Sequence, residues 1–347
     1  MKIQKSELAE KLNTVKSIVP KKTTSPILQN VMIANGNMIA NDMEVFAKVK
    51  LEYEGDESVL IPMEAFDLIN SLPDGEVEFT IDDNIVTVKA KRIKNKYTLR
   101  ATEGYPMPNI EGDMKTIKID AEKFVQAIRK VQYAIGAQEN GPMGCLCLRA
   151  KEGKLHFIAL EGHMISWDRM DYDGEFELLI PKSAVNRLSS MGLKGEMTIS
   201  HSPNGAVFTT EGYEIGTRLN AGKYFDVEHM ISESPIHAVA EKNALLEALN
   251  RARMCLEENT PVKMVYDSEH LDISSAGRNK EYSETIDLLN SVDKIDISFN
   301  PRMLIDCIKS IDEEYIDIGL SNEKSPAYIK GEGNGKYITM LLPVRTR

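Results

Sequence analysis

The chain repeats one pattern three times, at a spacing of about 120 residues. A proline follows a short β-rich run at Pro62, Pro181 and Pro301, which lie 119 and then 120 residues apart. Apolar residues recur at the same offsets of 4, 7 and 10 after each proline. A fixed period of this length indicates three copies of one domain. Proline fits the first turn of a helix, so each copy is predicted to carry a helix that begins at its proline.

A second amphipathic helix recurs with the same period. Apolar residues fall at offsets of 0, 4, 7 and 11 from Leu8, Phe124 and Leu245. This spacing places them on one face of a helix. The remainder reads as short alternating strands separated by turns, such as IVTVKA in the first copy and AYIKG in the third. We therefore predict an α+β fold of three domains, each with two helices packed on an antiparallel sheet. The predicted domains span residues 1–117, 118–235 and 236–347.

The composition indicates a cytoplasmic protein without a metal or cofactor. The amino-terminal residues lack the apolar run of a signal peptide, and no run has the length of a membrane helix. The four cysteines are scattered, and no histidine or cysteine partners them at zinc spacing. Cys145 and Cys147 are two residues apart on a predicted strand and so point to one face. We expect both to be buried thiols.

The charge distribution is the first indication of function. The net charge is −11. The predicted helices hold 12 basic and 8 acidic residues, a net +4 that leaves −15 for the rest of the chain. The helix windows are 6–19, 63–72, 121–134, 182–192, 241–255 and 302–311. A basic helical surface on an acidic body suits a protein that holds a polyanion on one face. Ordinary solvated helix faces are the alternative, because mixed surface charge is common.

Six segments are typical of one family. The chain resembles the bacterial DNA sliding clamps, the β subunit of DNA polymerase III, over its whole length. The resemblance is carried by TTSPILQNVMI from Thr23, NDMEVFAKVKL from Asn41, LEGHMIS from Leu160, LLIPKSAVNRL from Leu178, FNPRMLIDCIKSI from Phe299 and the terminal LLPVRTR. It implies three DNA-clamp domains per chain and a head-to-tail homodimeric ring around duplex DNA. It also implies a processivity factor that is not an enzyme, with DNA polymerase, the clamp loader and other clamp-motif proteins as partners.

The resemblance further implies a groove that binds short peptides of these partners. The matching positions are Leu160, Gly162, His163, Met164, Ile165, Phe225, His229, Met230, Leu342, Pro343, Val344 and Arg345. Three of them depart from the family pattern. Met164 stands where a basic residue is often found, His229 replaces a usual arginine and Phe225 a usual proline. These departures raise the alternative of a divergent, clamp-like accessory protein with specialised partners.

DNA-binding and interface residues follow from the same resemblance. Lys22 matches a basic loop residue and Lys182 a basic residue that opens a helix, while Arg187 and Arg253 are assigned from helix position alone. The helix after Pro62 carries acidic residues only. The ring interface is expected at Tyr105, Pro106, Met254 and Cys255, for which core packing is the alternative. A hydrolase is the weakest alternative, since no carboxylate pair stands out for acid–base chemistry.

Overall fold

The computed structural model describes residues 1–55, 58–99, 104–107, 110, 112–257 and 260–345. One order of elements recurs in each third of the chain: a strand, a helix, a run of strands, a second helix and three strands. The predicted α+β triplication is therefore confirmed. In the last third, two long strands stand in place of the four that form the middle run elsewhere.

The first third contains eight strands and two helices. They are β1 (Lys2–Gln4), α1 (Lys5–Val15), β2 (Asn30–Ala34), β3 (Asn37–Asn41), β4 (Val45–Lys50), β5 (Val59–Pro62), α2 (Phe66–Ser71), β6 (Glu76–Asp82), β7 (Ile85–Ala90) and β8 (Ile93–Thr98). The second third repeats this order. Its elements are β9 (Lys115–Asp120), α3 (Ala121–Val131), β10 (Cys145–Lys151), β11 (Lys154–Glu161), β12 (Met164–Asp171), β13 (Phe176–Pro181), α4 (Lys182–Ser190), β14 (Glu196–Ser202), β15 (Gly205–Thr210) and β16 (Tyr213–Arg218).

The final third has longer strands. Its elements are β17 (Ile236–Glu241), α5 (Lys242–Met254), β18 (Val262–Ala276), β19 (Glu281–Phe299), α6 (Pro301–Lys309), β20 (Tyr315–Leu320), β21 (Ala327–Gly331) and β22 (Ile338–Leu341). The apolar helix faces are buried as their spacing predicts. In α1 these are Leu8, Leu12 and Val15, and in α5 they include Leu245 and Leu249.

The repeated prolines do not all begin helices. Pro301 is the first residue of α6, and the side chain of Asn300 caps that helix. Pro62 and Pro181 instead end β5 and β13, where they pair with Asn30 and Cys145. Both strands lie at sheet edges. Proline is tolerated there because the N–H that it lacks is not needed by a neighbouring strand.

Contacts group the chain into two compact units. One comprises residues 1–125 and 183–221, and the other comprises residues 126–182 and 222–347. The first holds a four-stranded sheet in the order β1-β6-β7-β8 and an eight-stranded sheet in the order β5-β2-β3-β4-β16-β15-β14-β9. Its larger sheet joins strands of the first two repeats. The boundaries near 117 and 235 thus stay predictions, and α3 has residues in both units.

The second unit is built on one ten-stranded sheet. Its order is β13-β10-β11-β12-β22-β21-β20-β17-β19-β18, and every pair in it is antiparallel. The pairing of β12 with β22 joins the second repeat to the third, with Ile165 opposite Met340 and Trp167 opposite Ile338. Helices α5 and α6 pack on each other within this unit. The junction of β12 and β22 positions the candidate site.

Candidate functional site

One face of the ten-stranded sheet carries two adjacent rows of apolar side chains, which we call the groove floor. Strand alternation places every second residue on this face. The first row comprises Cys145, Leu160, Ile165, Met340 and Tyr328, and the second comprises Leu179, Cys147, Ile158, Trp167 and Ile338. Except for the half-buried Ile338, the side chains of both rows are buried in one cluster. Five strands, β13, β10, β11, β12 and β22, supply most of the floor, and β21 adds Tyr328.

A segment after β16, residues 224–231, lies against the groove floor and is called the groove wall. Tyr224 and Val227 are buried in the floor cluster, while Phe225 and Ile231 pack against it and stay partly exposed. The Tyr224 hydroxyl donates to the Cys145 carbonyl at 3.5 Å. Residues Glu228–Met230 form a single 3-10 turn that leaves His229 and Met230 exposed. The wall therefore presents apolar and polar groups side by side at the rim.

The carboxyl-terminal residues border the same cluster. The backbone N–H of Leu342 donates to the His163 carbonyl at 2.9 Å, and its side chain packs against the floor. Two residues later, the N–H of Val344 donates to the Ser298 carbonyl at 2.8 Å. The first hydrogen bond extends the pairing of β22 with β12, and the second attaches the tail to β19. The tail is thus fixed in place, with Val344 and Arg345 exposed.

The structure brings together most, but not all, of the residues predicted for the groove. Leu160 and Ile165 lie in the floor, and Phe225 and Leu342 lie at its edge. Gly162 and His163 form the exposed turn between β11 and β12, and Pro343 is half-buried in the tail. Met164 is buried but is not in the floor cluster, because alternation turns it to the opposite face of β12 from Ile165.

Seven of the ten floor residues lie outside the segments that carried the resemblance. Trp167 is two residues beyond Ile165 and Ile158 two residues before Leu160, so a period of two along each strand would have identified both. Tyr224 and Val227 show no such signal, since they lie in an irregular segment. Burial raises the pKa of Cys145 to about 11 and that of Cys147 still further. Both thiols therefore stay protonated near neutral pH and act as small apolar side chains.

A row of charged and polar residues borders the second floor row. We call it the charged border; it consists of Glu177, Arg149, His156 and Arg169, which are direct cross-strand neighbours on β13, β10, β11 and β12. The Arg169 guanidinium lies 4.4 Å from the centre of the Trp167 ring, a cation–π arrangement. Its Nε donates to the Lys336 carbonyl at 3.3 Å. Beside this border lies a cavity of about 420 Å³ that is also lined by Trp167.

The predicted DNA-binding residues occupy different settings. Lys22 is exposed in the loop after α1, and Arg253 is exposed near the end of α5. Lys182 donates through Nζ to the carbonyls of Ile135 at 2.6 Å and Gly136 at 3.3 Å, so its charge is partly committed to its own chain. Arg187 is half-buried, and its Nε has no hydrogen-bond partner within the described residues. Burial lowers the pKa of Arg187, and nearby Asp42 opposes that shift.

The predicted interface residues also differ in exposure. Met254, at the end of α5, is 74% exposed, compared with 55% for the apolar Leu289. Cys255 next to it is partly buried. The Tyr105 hydroxyl donates to the Asn30 carbonyl at 3.2 Å, and burial raises the pKa of Tyr105. The Pro106 carbonyl accepts from Asn41 at 2.5 Å.

Two classes of site are missing from the described ranges. No group of three or more histidine, cysteine, aspartate or glutamate side chains in them is arranged to hold a metal ion. No helix in the same ranges is long and apolar enough to cross a membrane.

Comparisons with known proteins agree over the whole length. The family model for the amino-terminal domain of the DNA polymerase III beta subunit matches residues 1–110, and the model for its carboxyl-terminal domain matches residues 232–345. The beta sliding clamp of Pseudomonas putida is 23% identical over 371 aligned positions, which cover 99% of each chain. That of Bacillus subtilis is 22% identical, with the same coverage.

Solved structures share the fold. The DNA polymerase III subunit beta of Pseudomonas aeruginosa superimposes with a TM-score of 0.91 at 20% identity, over all of both chains. A sliding clamp from Bartonella birtlesii gives a TM-score of 0.93, also at 20% identity, covering 100% of this chain and 99% of that one.

Proposed function

Since the chain belongs to the DNA polymerase III beta subunit family, we propose that it is the processivity factor of a replicative polymerase. It acts as a homodimeric ring that encircles duplex DNA and holds the polymerase nearby through the groove. The observation that carries this proposal is the groove itself: a buried apolar floor with a partly exposed rim, on a chain whose two ends both match clamp domains. The full-length matches favour this role over a divergent accessory protein.

The DNA-binding part of the proposal needs no catalytic group. DNA carries one phosphate charge for about every 1.7 Å of its axis, so a weakly basic lining holds it without reading bases. Lys22, Lys182, Arg187 and Arg253 are the proposed contacts. The free side chains of Lys22 and Arg253 contribute most, because Lys182 is partly bound to its own backbone. Topology, not affinity, keeps such a ring on DNA, and an ATP-driven clamp loader in the cytoplasm places it there.

The dimer in this proposal joins unlike ends of two chains. In the four-stranded sheet β8 is an edge strand, and in the ten-stranded sheet β18 is an edge strand. Unpaired edges present rows of free N–H and C=O groups that pair readily with another chain. Pairing β8 of one protomer with β18 of its partner closes a head-to-tail ring after two copies. Met254 and Cys255 lie just before β18, and Tyr105 and Pro106 follow β8 in the chain.

The groove takes an extended peptide with apolar anchors from the polymerase, the clamp loader or another partner. Such peptides dock by burying a few large side chains in a preformed apolar site with a polar rim. Phe225 and His229 place an aromatic ring and an imidazole at the rim where the family carries proline and arginine. We infer that partner choice is shifted at these two positions, since Phe225 is partly exposed and His229 exposed, whereas Met164 is buried.

The ring is tested by its retention on DNA. The protein is loaded onto closed circular duplex DNA with a clamp loader, and the bound fraction is measured by gel filtration before and after the circle is cut. We expect retention on the circle and release after linearisation. Equal retention on both forms would show ordinary affinity and contradict encirclement.

The groove is tested by peptide titration. A fluorescein-labelled peptide with a glutamine and a Leu/Phe pair is titrated with the protein, and anisotropy gives the dissociation constant. We expect Phe225→Asp to weaken binding at least tenfold, because a partly exposed aromatic side chain at the rim is replaced by a charge that peptide docking must desolvate. Ile81→Asp, at a residue 38% exposed on the inner strand β6, is the matched control and leaves peptide affinity unchanged.

A further inference from the structure

We propose that Arg149 and Glu177, at one end of the charged border, are positioning residues that hold the groove wall in its peptide-binding position. The inference rests on the proposed function of the groove and adds two residues that do not themselves line its apolar floor. It is argued from their contacts with each other and with the wall backbone.

The two residues form a closely packed ion pair. Arg149 of β10 and Glu177 of β13 face each other across the ladder, and Nε of the arginine lies 2.6 Å from Oε2 of the glutamate. Their side chains are only 15% and 31% exposed. Charge-assisted hydrogen bonds of this kind are stronger than neutral ones, and partial burial reduces screening. The pair is therefore a fixed feature of the sheet edge.

The same pair also binds the wall on both sides of one peptide unit. Oε1 of Glu177 accepts from the Tyr224 N–H at 3.4 Å, and Nη2 of Arg149 donates to the Phe225 carbonyl at 3.4 Å. Glu177 thus supplies a hydrogen-bond acceptor and Arg149 a donor to the wall backbone. The irregular wall thus obtains from two side chains the hydrogen bonds that no strand supplies to it.

Other contacts fix the opposite end of the wall. The Tyr328 hydroxyl donates to the Met230 carbonyl at 3.2 Å and lies 3.0 Å from Oγ of Ser232. Between the two ends, Lys151 and Glu228 form an exposed ion pair at 3.3 Å, which contributes little in water. Loss of the Arg149–Glu177 pair therefore loosens the backbone of the end that carries Tyr224 and Phe225, which is then held only by the packing of these side chains and the Tyr224 hydroxyl, while the Met230 end stays attached.

Freeing that end lowers peptide affinity without removing any contact to the peptide. Apparent affinity falls in proportion to the fraction of molecules whose wall is in the binding position. For Arg149→Met we expect peptide binding about tenfold weaker, the size of one lost charge-assisted hydrogen bond. Glu177→Leu has the same effect, whereas Glu177→Gln keeps one of the two acceptor oxygens, which serves either Tyr224 or Arg149, and is expected to bind with an affinity between those of the original and Glu177→Leu.

The experiment compares these variants by peptide anisotropy and by amide hydrogen exchange. Lys154→Met is the matched control, because it removes a neighbouring cation whose exposed ion pair with Asp171 does not touch the wall. We expect Arg149→Met to speed exchange at Tyr224 and at neighbouring wall amides while the β10–β13 ladder keeps its protection. General destabilisation of the fold would instead speed exchange both at the wall amides and in the β10–β13 ladder.

The outcomes separate this inference from the proposed function. If the original protein binds no clamp-motif peptide, the proposed function fails. Hydrogen exchange at the wall amides still shows whether Arg149 and Glu177 hold the wall. If the original protein binds and Arg149→Met binds within twofold of it, the positioning role is overturned. The positioning role is also overturned if Arg149→Met leaves the rate of hydrogen exchange at the wall amides unchanged. The Arg149→Met/Glu177→Leu double variant, which leaves no unpaired charge, covers the case in which a single variant folds poorly.

Discussion

At the scale of single residues, Trp167 shows what strand alternation adds to a family motif. The quoted motif ends at Ser166, and Trp167 follows on the same face as Ile165 in the floor. Its indole N–H donates to Nδ1 of His156 at 3.0 Å, and the two rings stack with centroids 5.5 Å apart. The burial of Trp167 follows from sequence pattern, but its partner does not. His156 lies eleven residues away, and only the β11–β12 register brings the two together.

This pair predicts a pH-dependent fluorescence signal from the single tryptophan. Burial lowers the pKa of His156 from 6.5, with Arg169 and Arg149 acting in the same direction and Glu228 opposing them. Protonation of His156 occupies Nδ1, so Trp167 loses its acceptor. We expect the emission of Trp167 to change as pH falls below 6.5, measured by acid titration of the folded protein.

The same shift sets the sign of the stability change. Because the folded state holds this proton less tightly than the unfolded chain, the contribution of His156 to the free energy of unfolding is complete above pH 6.5. It is lost as pH falls through the lowered pKa. The variant His156→Phe removes the acid transition of Trp167. A transition that persists in this variant would contradict the assignment.

At the scale of elements, strands with regular alternation were predictable and strands with bulges were not. IVTVKA and AYIKG correspond to β7 and β21, and the predicted helix windows each contain the observed helix or nearly all of it. The long strands β18 and β19 alternate only in separate segments, so their full length was not predictable. Their pairing shifts register between Tyr266 and His270, where Ser268 has a φ of +55° and the alternation breaks. A bulge of this kind removes the period-two pattern on which strand prediction depends.

Helix α6 offers a test of how its start is stabilised. The side chain of Asn300 accepts from the backbone N–H groups of Arg302 at 3.0 Å and Met303 at 3.4 Å. We predict that Asn300→Ala lowers the free energy of unfolding by about 1 kcal/mol, the usual cost of losing an N-cap. Urea unfolding followed by circular dichroism measures it. Asn300→Asp keeps a capping oxygen and is expected to change the free energy of unfolding by only about a few tenths of a kcal/mol. An equal decrease in the Ala and Asp variants would contradict the capping role.

At the scale of the whole molecule, the period predicted how many copies exist but not how their sheets connect. Each copy alone suggests its own sheet, yet β4 pairs with β16 and β12 pairs with β22, so two sheets run from one copy into the next. These pairings join residues far apart in sequence, and no local pattern encodes them. Four of the ten floor residues could therefore be predicted, namely Leu160, Ile165 and their period-two neighbours Ile158 and Trp167, whereas Met340 and Tyr328 required the sheet order.

Exposed Met254 gives the prediction for assembly. A large apolar side chain that is 74% exposed is expected to be covered by a partner. We predict that Met254→Glu raises the dissociation constant of the homodimer at least tenfold, because an interface anchor is replaced by a charge. Light scattering coupled to gel filtration measures the mass across a dilution series. Leu289→Glu, at a residue 55% exposed on β19, is the control, and equal dissociation in both variants would argue against a specific role of Met254.

The pairing of β12 with β22 makes the groove floor dependent on the folding of two repeats. The floor takes its side chains from the second and third repeats. A molecule therefore has a complete floor only after both repeats have folded and β12 has paired with β22. Under the proposed function, a molecule with an incomplete floor binds partner peptides weakly, and a bound peptide in turn stabilises the pairing of β12 with β22.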